Sequence, residues 1–268
     1  TALRQLAKQW GSGFDGYKTW TAPGAPKKCS AYVGVGCDSS GRVVSLTLPV
    51  SAAEGPITGI SKLTALTKLS LPYNIITGSI ADVTKLPNLR FLDLSRNIKL
   101  GKLPGSLTAM TTLKHLDLSG CCIGGTVPAF LGRIKYLTFL GLSNNFYTGE
   151  VPPSFGGLST LAYLDISGSG EEEEEGNGLG SPLPSQLTNL KALKSLNLWG
   201  NEFTGPIPDF LGSLTGLTEL ILSKNRWDKT IPRSFSRLVN LRTLDLSETE
   251  IAGSIPPFFS TFDKLVSL

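Results

Sequence analysis

The first leucine of a Leu-x-x-Leu-x-Leu unit stands at Leu66, Leu89, Leu113, Leu137, Leu161, Leu193, Leu217, Leu241 and Leu265, with successive spacings of 23, 24, 24, 24, 32, 24, 24 and 24. A period in the twenties leaves room for one short strand and one return segment per unit, and such a unit cannot bury its apolar side alone. Stacked units share a single core and touch only their neighbours. Length therefore stops limiting the fold, and one elongated solenoid domain is expected rather than several compact ones.

Within one unit, Leu140 and Leu142 alternate as a strand must to bury one face, so residues 139, 141 and 143 point outward. Asn145 closes the strand, and its short carboxamide can turn inward to bond backbone groups at the bend; Asn74, Asn97, Asn201 and Asn225 hold the same place. Pro104, Pro128, Pro152, Pro184, Pro208, Pro232 and Pro256 open the second half of each unit, with Ala81 in that place in the first full unit. Proline forbids regular ladder pairing, and the apolar residues after it recur at helical spacing, which predicts a turn and a short helical or 3₁₀ return.

These residues resemble the plant-type leucine-rich repeat, close to L-x-x-L-x-L-S-x-N-x-L-x-G-x-I-P, from about Leu63 onward. The resemblance implies an α/β solenoid: a right-handed leucine-rich repeat superhelix with a concave parallel β-sheet, extra strands from the Gly-x-Ile-Pro segment, and an N-terminal cysteine cap. Residues 1–41 are expected to form that cap and 42–268 the repeats. In the cap, Leu3, Leu6 and Trp10 recur at helical spacing, and Cys29, Tyr32, Gly34, Val35 and Cys37 are similar to the family's Cys-x-Trp-x-Gly-Val-x-Cys segment, with Tyr32 in place of Trp. By that likeness Cys29 pairs with Cys37, and a structural disulfide implies secretion or the cell surface. Cys121 takes the ladder place of its unit, which reads as a buried small residue, with a vicinal bridge to Cys122 or a reactive thiol as the alternatives.

The 32-residue spacing is an ordinary unit with eight added residues, because Asn177 resumes the ladder. The insertion, 168–176, carries Glu171, Glu172, Glu173, Glu174 and Glu175, cannot bury apolar area, and is expected to be a solvated loop, with docking of a basic partner or weak Ca²⁺ capture as alternatives. Net charge is +4, so without those five glutamates the remainder is +9, and its cations are scattered rather than clustered. That argues against a nucleic-acid surface. There is no apolar run long enough to span a membrane and no leader-like start, so the chain reads as a mature or trimmed segment; Leu265 begins another strand without a closing repeat, so a C-terminal cap is expected to be absent. None of the 11 asparagines begins an Asn-x-Ser/Thr acceptor, which is unusual for a glycosylated plant ectodomain.

Catalysis and cofactors are not expected. The single histidine, His115, excludes His-pair metal sites, and the cysteines lack zinc-cluster spacing. His115, Asp117 and Ser119 have the composition of a triad, yet on one strand face they stand about 7 Å apart, too far for a nucleophile to bond its base. The outward columns carry the functional expectation instead. Phe91, His115, Phe139 and Tyr163 occupy four successive rungs about 4.8 Å apart, and a row of outward aromatics invites a partner, although the rings could equally shield one another. Asp93, Asp117 and Asp165 follow in the next column, mainly as a solvating device, and Trp199 stands alone among serines in a third; Trp227 takes the place where the family that the chain resembles has an inward leucine. The expected function is an extracellular ligand-recognition module, by resemblance the ectodomain of a receptor binding a peptide, glycan or small ligand with a co-receptor. A secreted inhibitor of a wall-degrading enzyme is the main alternative, then an intracellular scaffold; ice binding lacks a uniform Thr or Asn column. Deleting residues 170–176 is expected to leave the melting temperature within a few degrees of the parent, whereas a large drop would make the glutamate run a structural element.

Overall fold

The computed structural model describes residues 2–22, 29–168, 176–180 and 182–268, so Glu171 to Glu175 lie outside the described residues. The chain forms two compact units, Thr1–Ile123 and Gly124–Leu268.

The first unit opens with helix α1 (Ala2–Trp10), which buries Leu3, Leu6, Ala7 and Trp10, and helix α2 (Tyr17–Thr21), which buries Trp20. Phe14 lies edge-on to both Trp10 and Trp20 with ring centroids 5.0 Å apart in each pair. Both buried indoles keep their N–H satisfied, Trp10 by the Pro56 carbonyl and Trp20 by that of Val33, each at 3.1 Å. Cys29 and Cys37 form a disulfide across a Cα separation of 6.0 Å. Strand Val35–Cys37 runs antiparallel to Val43–Thr47, after which Lys68–Ser70, Phe91–Asp93 and His115–Asp117 add in parallel.

In the second unit the strands Phe139–Gly141, Tyr163–Asp165, Ser195–Asn197, Glu219–Ile221 and Thr243–Asp245 are parallel and in unbroken register. Each strand is three residues long and inserts one leucine between its two outward side chains; Leu140, Leu164, Leu196, Leu220 and Leu244 are all buried. Short strands beyond the turn pair differently. Thr148 faces Gly178 and Thr204 faces Arg226, so each of these steps slips by two residues relative to the repeat, whereas the main sheet keeps equivalent positions opposite.

The returns are 3₁₀ turns, preceded by a proline from Gly105 onward, as in Gly105–Ala109, Ala129–Arg133, Asp209–Ser213 and Arg233–Arg237, whereas Ile60–Lys62 follows Gly59 and Val83–Lys85 follows Asp82. The proline sets φ near −60 to −80° and its carbonyl accepts from the residue three on, Leu107, Leu131, Leu211 or Phe235, whose side chain then enters the core. Adjacent returns approach so closely that a Cβ on Gly212 would lie 2.4 Å from the Ser234 carbonyl. Trp227 is core, 1% exposed and stacked on Phe203 at 5.3 Å. Among the described residues no helix is long and apolar enough to cross a membrane.

The asparagine ladder is the common element. Asn97 is fully buried; its Nδ2 donates to the carbonyls of Leu71 (2.9 Å), Leu94 (2.8 Å) and Ser95 (3.3 Å), and its Oδ1 accepts from the Ile76 N–H at 2.9 Å. Asn225 repeats the pattern against Leu198, Leu222, Ser223 and Phe203. Asn177 does the same after the insertion, donating to Leu142 and Ser167 at 2.9 Å each and accepting from the Tyr147 N–H at 3.0 Å. Cys121 substitutes with a weaker partner, its thiol 3.1 Å from the Leu94 carbonyl. The residue just before the ladder is left-handed in coil after coil, with φ of 56° at Tyr73, 57° at Arg96, 51° at Asn144 and 53° at Lys224.

Asn97→Ala is expected to cost about 3 kcal/mol or more in chemical denaturation, because several buried backbone groups lose their partner at once and each orphan costs about 1–3 kcal/mol. Thr249→Ala, which removes one part-buried bond to Leu246, is expected to cost about 1 kcal/mol or less.

Candidate functional site

The outward side of each sheet is built by strand alternation, so its side chains stand on a backbone whose own bonds are complete. In the first unit the outward column runs Ser45, Lys68, Phe91, His115. Phe91 and His115 lie face to face, centroids 4.0 Å apart and planes 6° apart, and the Lys68 Nζ stands 4.9 Å over the Phe91 ring. Cation, ring and imidazole thus form one stack, and each member is half-buried by its neighbours. In the second unit Phe139 and Tyr163 are neighbours with centroids 6.3 Å apart and a 36° tilt; Tyr163 is 50% exposed. Ser195 continues that column by donating its hydroxyl to Glu219 at 2.5 Å. The rings of the first unit therefore shield one another, with Phe91 between Lys68 and His115, whereas Tyr163 in the second unit keeps half of its surface open.

The acidic column is committed to the turns. Asp93 Oδ1 accepts from the Ser95 N–H at 3.0 Å and the Ser95 hydroxyl at 2.7 Å, while its other oxygen accepts from the Ser70 hydroxyl at 3.0 Å. Asp165 receives the same two bonds from Ser167, and Asp117 accepts from the Ser119 N–H at 3.0 Å. A short carboxylate bonding the backbone two residues on is a turn device. At Asp245 burial alone would raise the carboxyl, but the Ser247 and Ser223 hydroxyls and the Ser247 N–H outweigh it and hold the group below the usual carboxylate range. These aspartates offer a ligand at most their remaining acceptor capacity.

Trp199 is half-buried rather than fully exposed, since the Lys224 ammonium lies 5.3 Å over its ring. Arg96 likewise sits 6.0 Å from the centroid of Tyr73, and a Cβ on Gly120 would meet the Arg96 side chain at 2.6 Å. Lys68, Lys224, Arg96 and Tyr73 were missing from the sequence-based set. Period-two reasoning finds only strand side chains, whereas Tyr73, Arg96 and Lys224 come from the left-handed turn position, from which Lys224 reaches the Trp199 ring and Arg96 the Tyr73 ring of the coil before. The signal was present in the repeat as the residue preceding each ladder position.

His115 is held below the ordinary imidazole value, chiefly by burial, with the Asp117 and Asp93 carboxylates pulling the other way and Lys68 adding to the depression. The unfolded chain therefore takes the proton first, and this stability contribution is complete above the ordinary imidazole value and is lost as pH falls below it. Thermal melts between about pH 7.5 and 5 are expected to show a smaller acid-side loss for His115→Gln than for the parent; equal losses would assign the sensitivity to other groups.

Four leucine-rich repeat models match residues 64–108, 109–126, 136–158 and 185–251, together more than half of the chain. No curated protein matches the chain by sequence. Among solved structures, the leucine-rich repeat ectodomain of the receptor kinase GASSHO1/SCHENGEN3 of Arabidopsis thaliana, in complex with CASPARIAN STRIP INTEGRITY FACTOR 2, is 29% identical with a TM-score of 0.79, over 98% of this chain and 34% of that one. The Arabidopsis receptor kinase HAESA, solved with the peptide hormone IDA and the co-receptor SERK1, is 26% identical with a TM-score of 0.74, over 100% of this chain and 52% of that one. The chain thus spans about a third of one of those receptor ectodomains and about half of the other. A plant ice-binding protein shares the fold, at 24% identity and a TM-score of 0.72, over 99% of this chain and 94% of that one. Repeat models, register and solved relatives agree, and the chain belongs to the leucine-rich repeat proteins, with repeats of the plant type.

Proposed function

We propose that this chain is the ligand-recognition part of an extracellular leucine-rich repeat receptor, that it takes a peptide, glycan or small ligand on the outward face of its strands, and that a co-receptor is its further partner. The observation that carries the reading is the Lys68, Phe91, His115 stack, a planar ring pair topped by a cation and rooted in three adjacent strands. Side chains held by complete sheets and by each other lose little freedom on binding, so their contacts convert into affinity. Tyr163 and Trp199 offer aromatic surface of the same kind in the second unit. The HAESA structure with a peptide hormone and a co-receptor supports the class of ligand, and the Cys29–Cys37 disulfide supports an oxidising compartment. Residues 1–41 then serve as the lid on the first core layer and 42–268 as the recognition array.

Biolayer interferometry of the full chain against a panel of synthetic secreted peptides and wall oligosaccharides tests this. For any binder found, Phe91→Ala or Tyr163→Ala is expected to weaken affinity about tenfold or more, the size of an aromatic hot spot, with the melting temperature nearly unchanged. A binder whose affinity survives both substitutions and Trp199→Ala would move recognition off the strand face.

A further inference from the structure

A second surface lies on the first unit, away from the strand face. Helix α1 and the 3₁₀ turn Ile60–Lys62 enclose an open groove of about 600 Å³ lined by Ala2, Arg4, Gln5, Lys8, Gln9 and Lys62. Three of the six are cations, two are carboxamides, and none is acidic. Arg4 and Lys8, like Gln5 and Gln9, are four apart and so share a helix face. The floor is held in place: Gln9 donates to the Thr58 hydroxyl at 2.8 Å and carbonyl at 3.3 Å, Lys62 donates to Gln5 Oε1 at 3.0 Å, and the Trp10 indole anchors the helix end on Pro56. Arg4 spends one nitrogen on the Ala22 carbonyl at 2.9 Å. Among the described residues the ion pairs are Asp38 with Arg42, Asp82 with Lys85 and Glu54 with Lys99, and none of them neutralises Arg4, Lys8 or Lys62. The neighbouring carboxylate, Asp82, is taken up by Lys85 at 2.8 Å and by the Gly59 N–H at 2.5 Å.

Uncompensated like charges gathered along a groove repel one another, and an anion relieves that repulsion. The lining narrows the kind of anion. Ala2 is its only apolar member, so it lacks the aromatic platforms that bases need, the apolar pockets that anchor peptides, and the apolar wedge that enters a membrane. The Gln9 amide is spent on Thr58, whereas Gln5 keeps one amide hydrogen beside the cations after donating to the Thr58 carbonyl at 3.4 Å, which suits a chain that alternates hydroxyls with charges. We propose that this groove binds an acidic glycan, with Arg4, Lys8 and Lys62 on its carboxylates and the remaining Gln5 amide hydrogen on a hydroxyl. The site is independent of the strand-face reading and stands whether or not that face binds a ligand.

Calorimetric titration of the full chain with a decamer of galacturonate, at several salt concentrations, is the test. The triple variant Arg4→Gln, Lys8→Gln, Lys62→Gln is expected to bind roughly tenfold more weakly, as three exposed charge contacts imply, and to lose about two to three from the slope of log affinity against log salt. Lys8→Glu, a substitution at an exposed side chain that leaves the floor intact, is expected to weaken binding on its own and covers the case of a poorly folded triple variant. A control triple, Arg133→Gln, Lys135→Gln, Arg237→Gln, and the methyl-esterified decamer separate the groove from diffuse charge. The proposal is overturned if the parent does not bind, if both triple variants lose affinity equally, if the esterified chain binds as well as the acid, or if polyglutamate of equal charge binds as tightly.

Discussion

Each coil has to turn a corner inside the protein immediately after its strand, and the backbone groups at that corner have no water to bond. The buried carboxamide of Asn74, Asn97, Asn177, Asn201 or Asn225 meets that need, linking the carbonyls of its own coil and the preceding one and accepting an N–H of the preceding coil, and Asn145 donates to Leu142 and Ser143 in the same way. A carboxamide is well suited because it carries two donors and an acceptor on a short stem. The same corner places the residue before it in the left-handed region, a conformation that costs a non-glycine residue about 1–2 kcal/mol. The hydrogen bonds of the ladder offset that cost in each coil.

Because the ladder, the leucines and the prolines carry the fold, the outward strand positions carry almost none of it. That division explains why Phe91, His115, Phe139, Tyr163, Ser195 and Glu219 can differ so widely at equivalent places while the strands beneath keep strict register. It also separates columns that look alike in sequence. The aspartates alternate with the aromatics along the same strands, yet their oxygens return to the turn that follows, so they belong to the scaffold as much as to the surface. The strands beyond the turn follow another rule, slipping two residues per coil, so that a buried side chain faces a left-handed glycine of the preceding coil: Tyr147 faces Gly125, Leu179 faces Gly149 and Trp227 faces Gly205.

Much of this was legible from the spacing of a few residue types. The strand positions, the ladder and the resumption of the repeat at Asn177 follow from periodicity, because a repeated coil places equivalent residues in equivalent surroundings, whereas the inward place of Trp227 rested on likeness to the family. The pairing of Cys29 with Cys37 rested on likeness to the family, and the disulfide is present. The columns of Phe91 and Asp93 were legible as columns, since alternation along a strand is local. Their states were not: the half-burial of Trp199 depends on Lys224, a turn residue from the next coil, and the engagement of Asp93 depends on Ser70 in the coil before.

The sequence by itself therefore determined the solenoid, the core and the outward-facing positions, because those depend on repeat length and on which residues can bury area or close a turn. The tertiary structure alone decided what each outward position offers a partner: how far Phe91 and His115 cover each other, which carboxylate oxygens are spent, and which cations of α1 and the following coil converge on one groove. Those properties arise from contacts between side chains some twenty to sixty residues apart, and rotamer choice and left-handed turns set them in ways that periodicity does not encode.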